Sequence, residues 1–87
     1  MSAAEMIARL TAATQKLNEA KAKAAAAAQD ANEARTLVAG ALEGAASKQL
    51  VDMVGGVVEH LSHAGQAAAS TTQQVQQTIA RVQALGN

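Results

Sequence analysis

The chain has 87 residues with no Pro, no Cys and no aromatic side chain, and its seven basic and seven acidic residues give a formal net charge of zero. At this length it is one domain at most, its interspersed charges offer no field to hold a nucleic acid or an anionic membrane surface, and without cysteine it has no disulfides, thiolate chemistry or Cys-type zinc sites. With 24 alanines, and Leu, Val, Gln, Glu, Lys and Thr supplying most of the rest, long helices are the only regular structure the composition favours, so the chain reads as all-α.

In chain order, the first signal is "SAAE" at residues 2–5. It is a capping box, in which the Ser2 oxygen accepts the Glu5 amide while the Glu5 carboxylate reaches back to the Ser2 amide. A helix is expected from about residue 3 to about residue 43. Its apolar positions follow a heptad, with Ala3, Leu10, Leu17, Ala24, Ala31 and Val38 at one seam position and Met6, Ala13, Ala20, Ala27, Ala34 and Ala41 at the other. On the exposed face, Glu5 with Arg9 and Glu19 with Lys23 are spaced for i, i+4 ion pairs.

The stretch "LEGAAS" at residues 42–47 then breaks the pattern. Gly44 can take the left-handed conformation that ends a helix and Ser47 can cap the next one, which sets a turn at about 44–47, marked by Leu42, Gly44 and Ser47. The second helix is expected over about 47–85. Its heptad is Val54, Leu61, Ala68, Val75 and Val82, flanked by Val51, Val58, Gly65, Thr72 and Ile79, with Lys48 and Asp52 spaced for another ion pair. A competing turn lies at Gly55-Gly56, since two glycines cost a helix roughly 2 kcal/mol relative to alanine. Val54, Val57, Val58 and Leu61 keep the apolar face in phase across that pair, which favours a continuous helix. "QALGN" places Gly86 just past Leu85, where a left-handed C-cap is wanted, so the chain reads as a whole protein bounded by helix signals at both ends.

If the helices fold back antiparallel, residue i lies near residue 90 − i, and residues 1–87 form a single helical-hairpin domain. The large aliphatics then meet at the two ends. Met6, Ile7, Leu10 and Leu17 meet Val75, Ile79, Val82 and Leu85 at one end, and Leu37, Val38 and Leu42 meet Leu50, Val51, Met53 and Val54 at the other. The alanines at 20–28, with Ala20, Ala24 and Ala27 on the seam, fall opposite "HAGQAAAS" at 63–70, where Gly65 and Ala68 supply the facing positions, with Leu61 one turn before them. Small residues facing small residues predict a helix separation below the usual 8–10 Å or so. Ile7, Leu42, Val51 and Val58 widen the apolar stripe beyond a two-helix seam. The expected assembly is therefore a dimer, two hairpins making a four-helix bundle.

Little here resembles a site. Glu59, His60 and His63 form "EHLSH", but the metalloprotease pattern needs His residues at i and i+4 with a Glu between them and a further ligand beyond. They read as surface histidines beside a Glu. Asp30, Asn32 and Glu33 lack the glycine and register of a calcium loop. There is no nucleophile elbow, P-loop or dinucleotide turn, and "STTQQVQQT" at 70–78 reads as the exposed face of the second helix. The expectation is a protein that is not an enzyme and has no cofactor, no metal and no catalytic residue. No apolar run reaches the length of a membrane span, about 18 residues, and "MSAAEMIARL" lacks the basic and apolar regions of a signal peptide. No integral membrane association is expected, and the location is either cytoplasmic or secreted without a classical signal peptide.

Two long helices, a central turn and a length under about 100 residues resemble the WXG100 (ESAT-6-like) proteins of type VII secretion, found in actinobacteria and firmicutes. The likeness covers the whole chain in architecture. Where that family carries Trp-x-Gly at the turn, this chain has Leu42, Glu43 and Gly44, and the family's C-terminal Tyr-x-x-x-Asp/Glu motif has no counterpart after Gln77. The resemblance implies a hairpin that pairs with itself or a related hairpin and acts as an adaptor or companion. The alanine-rich style is also similar to small uncharacterised actinobacterial proteins. Two alternatives from another class are an amphipathic protein lying on lipid and a stress-protective chain that folds on drying.

Overall fold

The computed structural model describes residues 1–86; Asn87, the last residue of the expected domain, lies outside the described residues. It is an antiparallel helical hairpin of two elements, α1 (Ala3–Ala41) and α2 (Ala45–Gly86), which pack against each other along their length. Among the described residues only Met1, Ser2 and the link at 42–44 stand outside the helices.

α1 begins where the capping box predicts. Ser2 is extended, its Oγ accepts from the Glu5 amide at 3.1 Å, and its carbonyl accepts from the Met6 amide at 3.0 Å. The Glu5 side chain takes a different partner from the one expected, its Oε1 accepting from the Ser2 hydroxyl at 3.2 Å. At the other end α1 stops two residues short of the expected boundary. Leu42 is extended at φ −127°, ψ 154°, and its amide donates back to the Val38 carbonyl at 3.2 Å.

The link corrects two expectations. Gly44 has φ +79°, the left-handed region that side chains avoid, yet it sits at the start of α2 and not at the end of α1. Its carbonyl accepts the first bond of α2, from the Lys48 amide at 3.2 Å. Ser47 is therefore not a cap. It lies in the first turn of α2 and is buried at 8% exposure, because its place in the heptad points inward. Gly86 likewise does not leave the helix: α2 runs through it, and Gly44 is the one glycine with positive φ among the described residues.

Gly55 and Gly56 lie inside an unbroken α2, so the competing turn is not adopted. The inward row of Val51, Val54, Val58 and Leu61 passes through them without a change of phase. His60 Nδ1 donates to the Gly56 carbonyl at 3.0 Å, one turn back. None of the three anticipated i, i+4 ion pairs forms. Among the described residues the ion pair present is Lys16 with Glu19 at 3.3 Å, both well exposed, an arrangement worth a few tenths of a kcal/mol, about 0.3.

The register follows from the small residues. A β-carbon built on Gly65 would sit 4.0 Å from the Ala24 β-carbon, and one built on Gly86 would sit 3.3 Å from that of Ala3. In both pairs the residue numbers add to 89, one less than expected. α2 presents the anticipated row without exception: Val51, Val54, Val58, Leu61, Gly65, Ala68, Thr72, Val75, Ile79 and Val82 are all half-buried or buried. α1 differs in one respect. Its first row, Ala3, Leu10, Leu17, Ala24, Ala31 and Val38, faces inward, but the second is Ile7, Thr14 and Ala28, with Lys21 and Arg35 between and beyond them, and not the row beginning at Met6. Met6, Ala13, Ala20, Ala34 and Ala41 are exposed and Ala27 is half-buried, so Ala20 is not a packing residue.

Polar groups enter this seam without needing a partner across it. Thr14 Oγ1 donates to the Leu10 carbonyl at 3.1 Å and Thr72 Oγ1 to the Ala68 carbonyl at 2.8 Å, so each hydroxyl is satisfied within its own helix. No apolar side chain among the described residues is buried; Ser47 and Thr72, both at 8% exposure, are the two buried residues.

Candidate functional site

Chemistry was not expected from this sequence, and the titratable groups are dispersed. Among the described residues no three His, Asp or Glu side chains gather where a cation would sit. Glu59, His60 and His63 are exposed on α2.

What the fold does create is two unlike sides. Each helix presents its inward row and, to either side of it, a flanking row. On one side of the hairpin the flanks mix alanine with polar side chains and hold no large aliphatic: a shallow groove there is lined by Lys21, Ala25, Ser62, Gln66 and Ala69 over Ala24, Leu61 and Gly65 of the seam, and toward the chain ends the same side carries Ala4 and Gln83. On the other side a groove is lined by Met1, Met6, Arg9, Leu10, Thr78 and Val82. That second flank continues by heptad steps through Ala13, Ala20, Ala27, Ala34 and Ala41 on α1, and through Leu50, Val57, Ala64, Thr71 and Leu85 on α2. The row that sequence reading took for a core seam is thus an exposed apolar flank.

The exposed large apolar side chains fall there. Met6, Leu37, Leu50, Met53, Val57 and Leu85 occupy this flank or the row next to it, with Leu37 at 73% and Leu85 at 88% exposure, so Met6, Leu37, Leu50, Met53 and Leu85 do not meet across the hairpin as expected but lie outside its seam. Single exposed aliphatics are ordinary on a protein surface; six on one side of a two-helix rod set that side apart from the other. Ile7, Val51 and Val58, expected to widen the stripe, are seam residues instead, and Leu42 sits in the link at 42% exposure. Of the anticipated packing residues, Leu10, Leu17, Ala24, Ala27, Val38, Val54, Leu61, Gly65, Ala68, Val75, Ile79 and Val82 are all half-buried.

The sequence pattern of a family of unknown function, DUF6244, matches residues 1–87. The chain belongs to DUF6244. No curated protein and no solved structure matches it. Membership of DUF6244 assigns no activity, so the physical difference between the two sides is what a functional reading has to use. Among the described residues no helix is long and apolar enough to cross a membrane.

Proposed function

We propose that this protein is a non-enzymatic helical interaction protein that works as a pair of hairpins, formed with itself or with a related hairpin. The observation that carries this reading is the surface left uncovered. The hairpin measures 65 × 14 × 14 Å with a radius of gyration of 19.4 Å, against about 12 Å for a compact chain of the same length. It exposes 6205 Å², whereas a compact monomer of 8.8 kDa exposes about 4,800 Å². The excess, about 1,400 Å² by that scaling, accompanies the lack of any buried apolar side chain among the described residues, and apolar area left in water forgoes about 25 cal/mol for each Å². A second hairpin on the apolar flank removes much of it, completing a four-helix bundle.

The likeness to WXG100 proteins extends the proposal to a companion or adaptor role in type VII secretion. Two helices, a short link and a glycine within that link at Gly44 support this extension. Sedimentation equilibrium tests the pairing, with a dimer expected at micromolar concentration and a folded, stable monomer overturning it. Detection of the tagged protein in culture filtrate, lost when a type VII machinery is disrupted, tests the extension. Retention inside cells in both strains refutes it.

A further inference from the structure

The structure carries more than the existence of a pair, and the following rests on the proposal that the hairpin dimerises. The geometry points to a second copy of this chain, docked on the flank of Met6, Leu50, Val57 and Leu85, with the two hairpins running in opposite directions about a two-fold axis perpendicular to their length.

The face is set by composition. The inward row of Leu10, Leu17 and Val38 on α1 and the seam of α2 are each extended on the same side by one flank, Met6 with alanines on α1 and Leu50, Val57 and Leu85 with Ala64, Thr71 and Thr78 on α2, whereas the opposite flank mixes Ala4, Ala25, Ala39 and Ala69 with Asn18, Asn32, Ser62, Gln76 and Gln83 and holds no large apolar side chain. A face of 65 × 14 Å covered by a second copy buries on the order of 900 Å² per protomer, and a stable interface takes about 800 Å².

The orientation is set by charge. The half of the rod holding the chain ends, residues 1–22 and 68–87, carries the basic residues Arg9, Lys16, Lys21 and Arg81 against Glu5 and Glu19, a net of +2. The half holding the link, residues 23–67, carries Lys23, Arg35 and Lys48 against Asp30, Glu33, Glu43, Asp52 and Glu59, a net of −2. A parallel pair sets like ends together; an antiparallel pair sets each basic half on the acidic half of its partner. The apolar residues accept that arrangement. Steps of seven along α2 bring Leu85 to the level of the partner subunit's Leu50 and Thr78 to that of the partner subunit's Val57, and leave Ala64 facing the partner subunit's Thr71 at the centre. Closed two-fold pairing uses the same patch on both chains, so no apolar flank is left to propagate a filament.

The chain has no cysteine, so introduced thiols report proximity without background. Leu85→Cys and Leu50→Cys chains, one bearing a mass tag, are mixed and oxidised mildly, and the mass in solution is measured on the same samples. The expected result is a disulfide-linked pair joining the two variants, absent when either is oxidised alone, and absent for Gln66→Cys on the polar side. Cross-linking of Leu85→Cys to Met6→Cys chains instead reveals a parallel pair and overturns the orientation. A dimer by mass with neither cross-link overturns the face while leaving dimerisation standing. A monomer by mass overturns both. The substituted positions are exposed, and an unchanged far-ultraviolet circular dichroism spectrum confirms that each variant keeps its helices.

Discussion

Replacing Gly55 and Gly56 together by alanine tests whether α2 runs unbroken at its weakest point. Both lie in the interior of a 42-residue helix, where glycine costs about 0.8–1.0 kcal/mol relative to alanine through its backbone freedom in the unfolded chain. The surroundings leave room for the added methyl groups. Nothing lies within 4 Å of a β-carbon at Gly56, and at Gly55 the nearest atom is Arg35 Cζ at 3.9 Å, the far end of a flexible side chain. The full propensity gain of about 2 kcal/mol is therefore expected. For a domain of this size each kcal/mol moves Tm by about 4–8 °C, so the double variant should melt about 8–16 °C higher. The assay is thermal circular dichroism at 222 nm or so, at matched protein concentration, with calorimetry to confirm a single transition. Neither glycine lies on the apolar flank, so docking of a second hairpin does not confound the comparison. An unchanged or lowered Tm would refute the reasoning, because it would mean that the chain bends at this pair in solution.

The opposite sign is expected at Gly44, whose φ of +79° is strained for any other residue: Gly44→Ala should cost about 1–2 kcal/mol and lower Tm in the same assay, and no loss would mean that the link does not use that conformation. Gly65→Ala places its methyl 4.0 Å from the Ala24 β-carbon, an ordinary contact, so it should gain about 0.5–1 kcal/mol; a loss of stability would show that the helices approach more closely at their small-residue centre. Ser2→Ala removes the oxygen that accepts the Glu5 amide and should cost about 0.5–1 kcal/mol, read as a lower denaturant midpoint with an unchanged slope. Association predicts that Tm rises with protein concentration over a hundredfold range, and a concentration-independent Tm would argue for a self-sufficient monomer.

The second helix could be read from sequence and the first only in part, for a reason that lies in alanine. On α2 the inward row holds Val, Leu and Ile between Gln, Ser, His and Asp, so size and polarity both report which way a residue points. On α1 the seam at Ala24, Ala28 and Ala31 and the flank at Ala13, Ala20 and Ala34 are built of the same side chain, and a heptad traced through alanine slips to the neighbouring row at no penalty. The residues that would have settled it are Ile7 and Thr14, one step from Met6 and Ala13. Ser47 misled for a related reason: a serine after a glycine has the look of a cap, but the Gly44 carbonyl already opens the helix, and the serine falls on the seam. The uneven sides of the rod were legible only as an apolar stripe too wide for two helices, because their placement depends on the row that alanine conceals.

The matched numbering across the hairpin also restricts how such a chain can change in length. With inward positions spaced alternately four and three residues apart on both helices and partners adding to 89, losing one residue in α2 turns everything beyond it by about 100° and sends Leu61 or Val75 out to solvent. Growth or shrinkage without that loss comes in units of seven, made in α1 and α2 at the same level. Single-residue indels are absorbed only beyond the paired segment, at the chain ends or within the three-residue link. Homologous chains are thus expected to come in discrete lengths, each differing by a paired heptad of about 10 Å of rod.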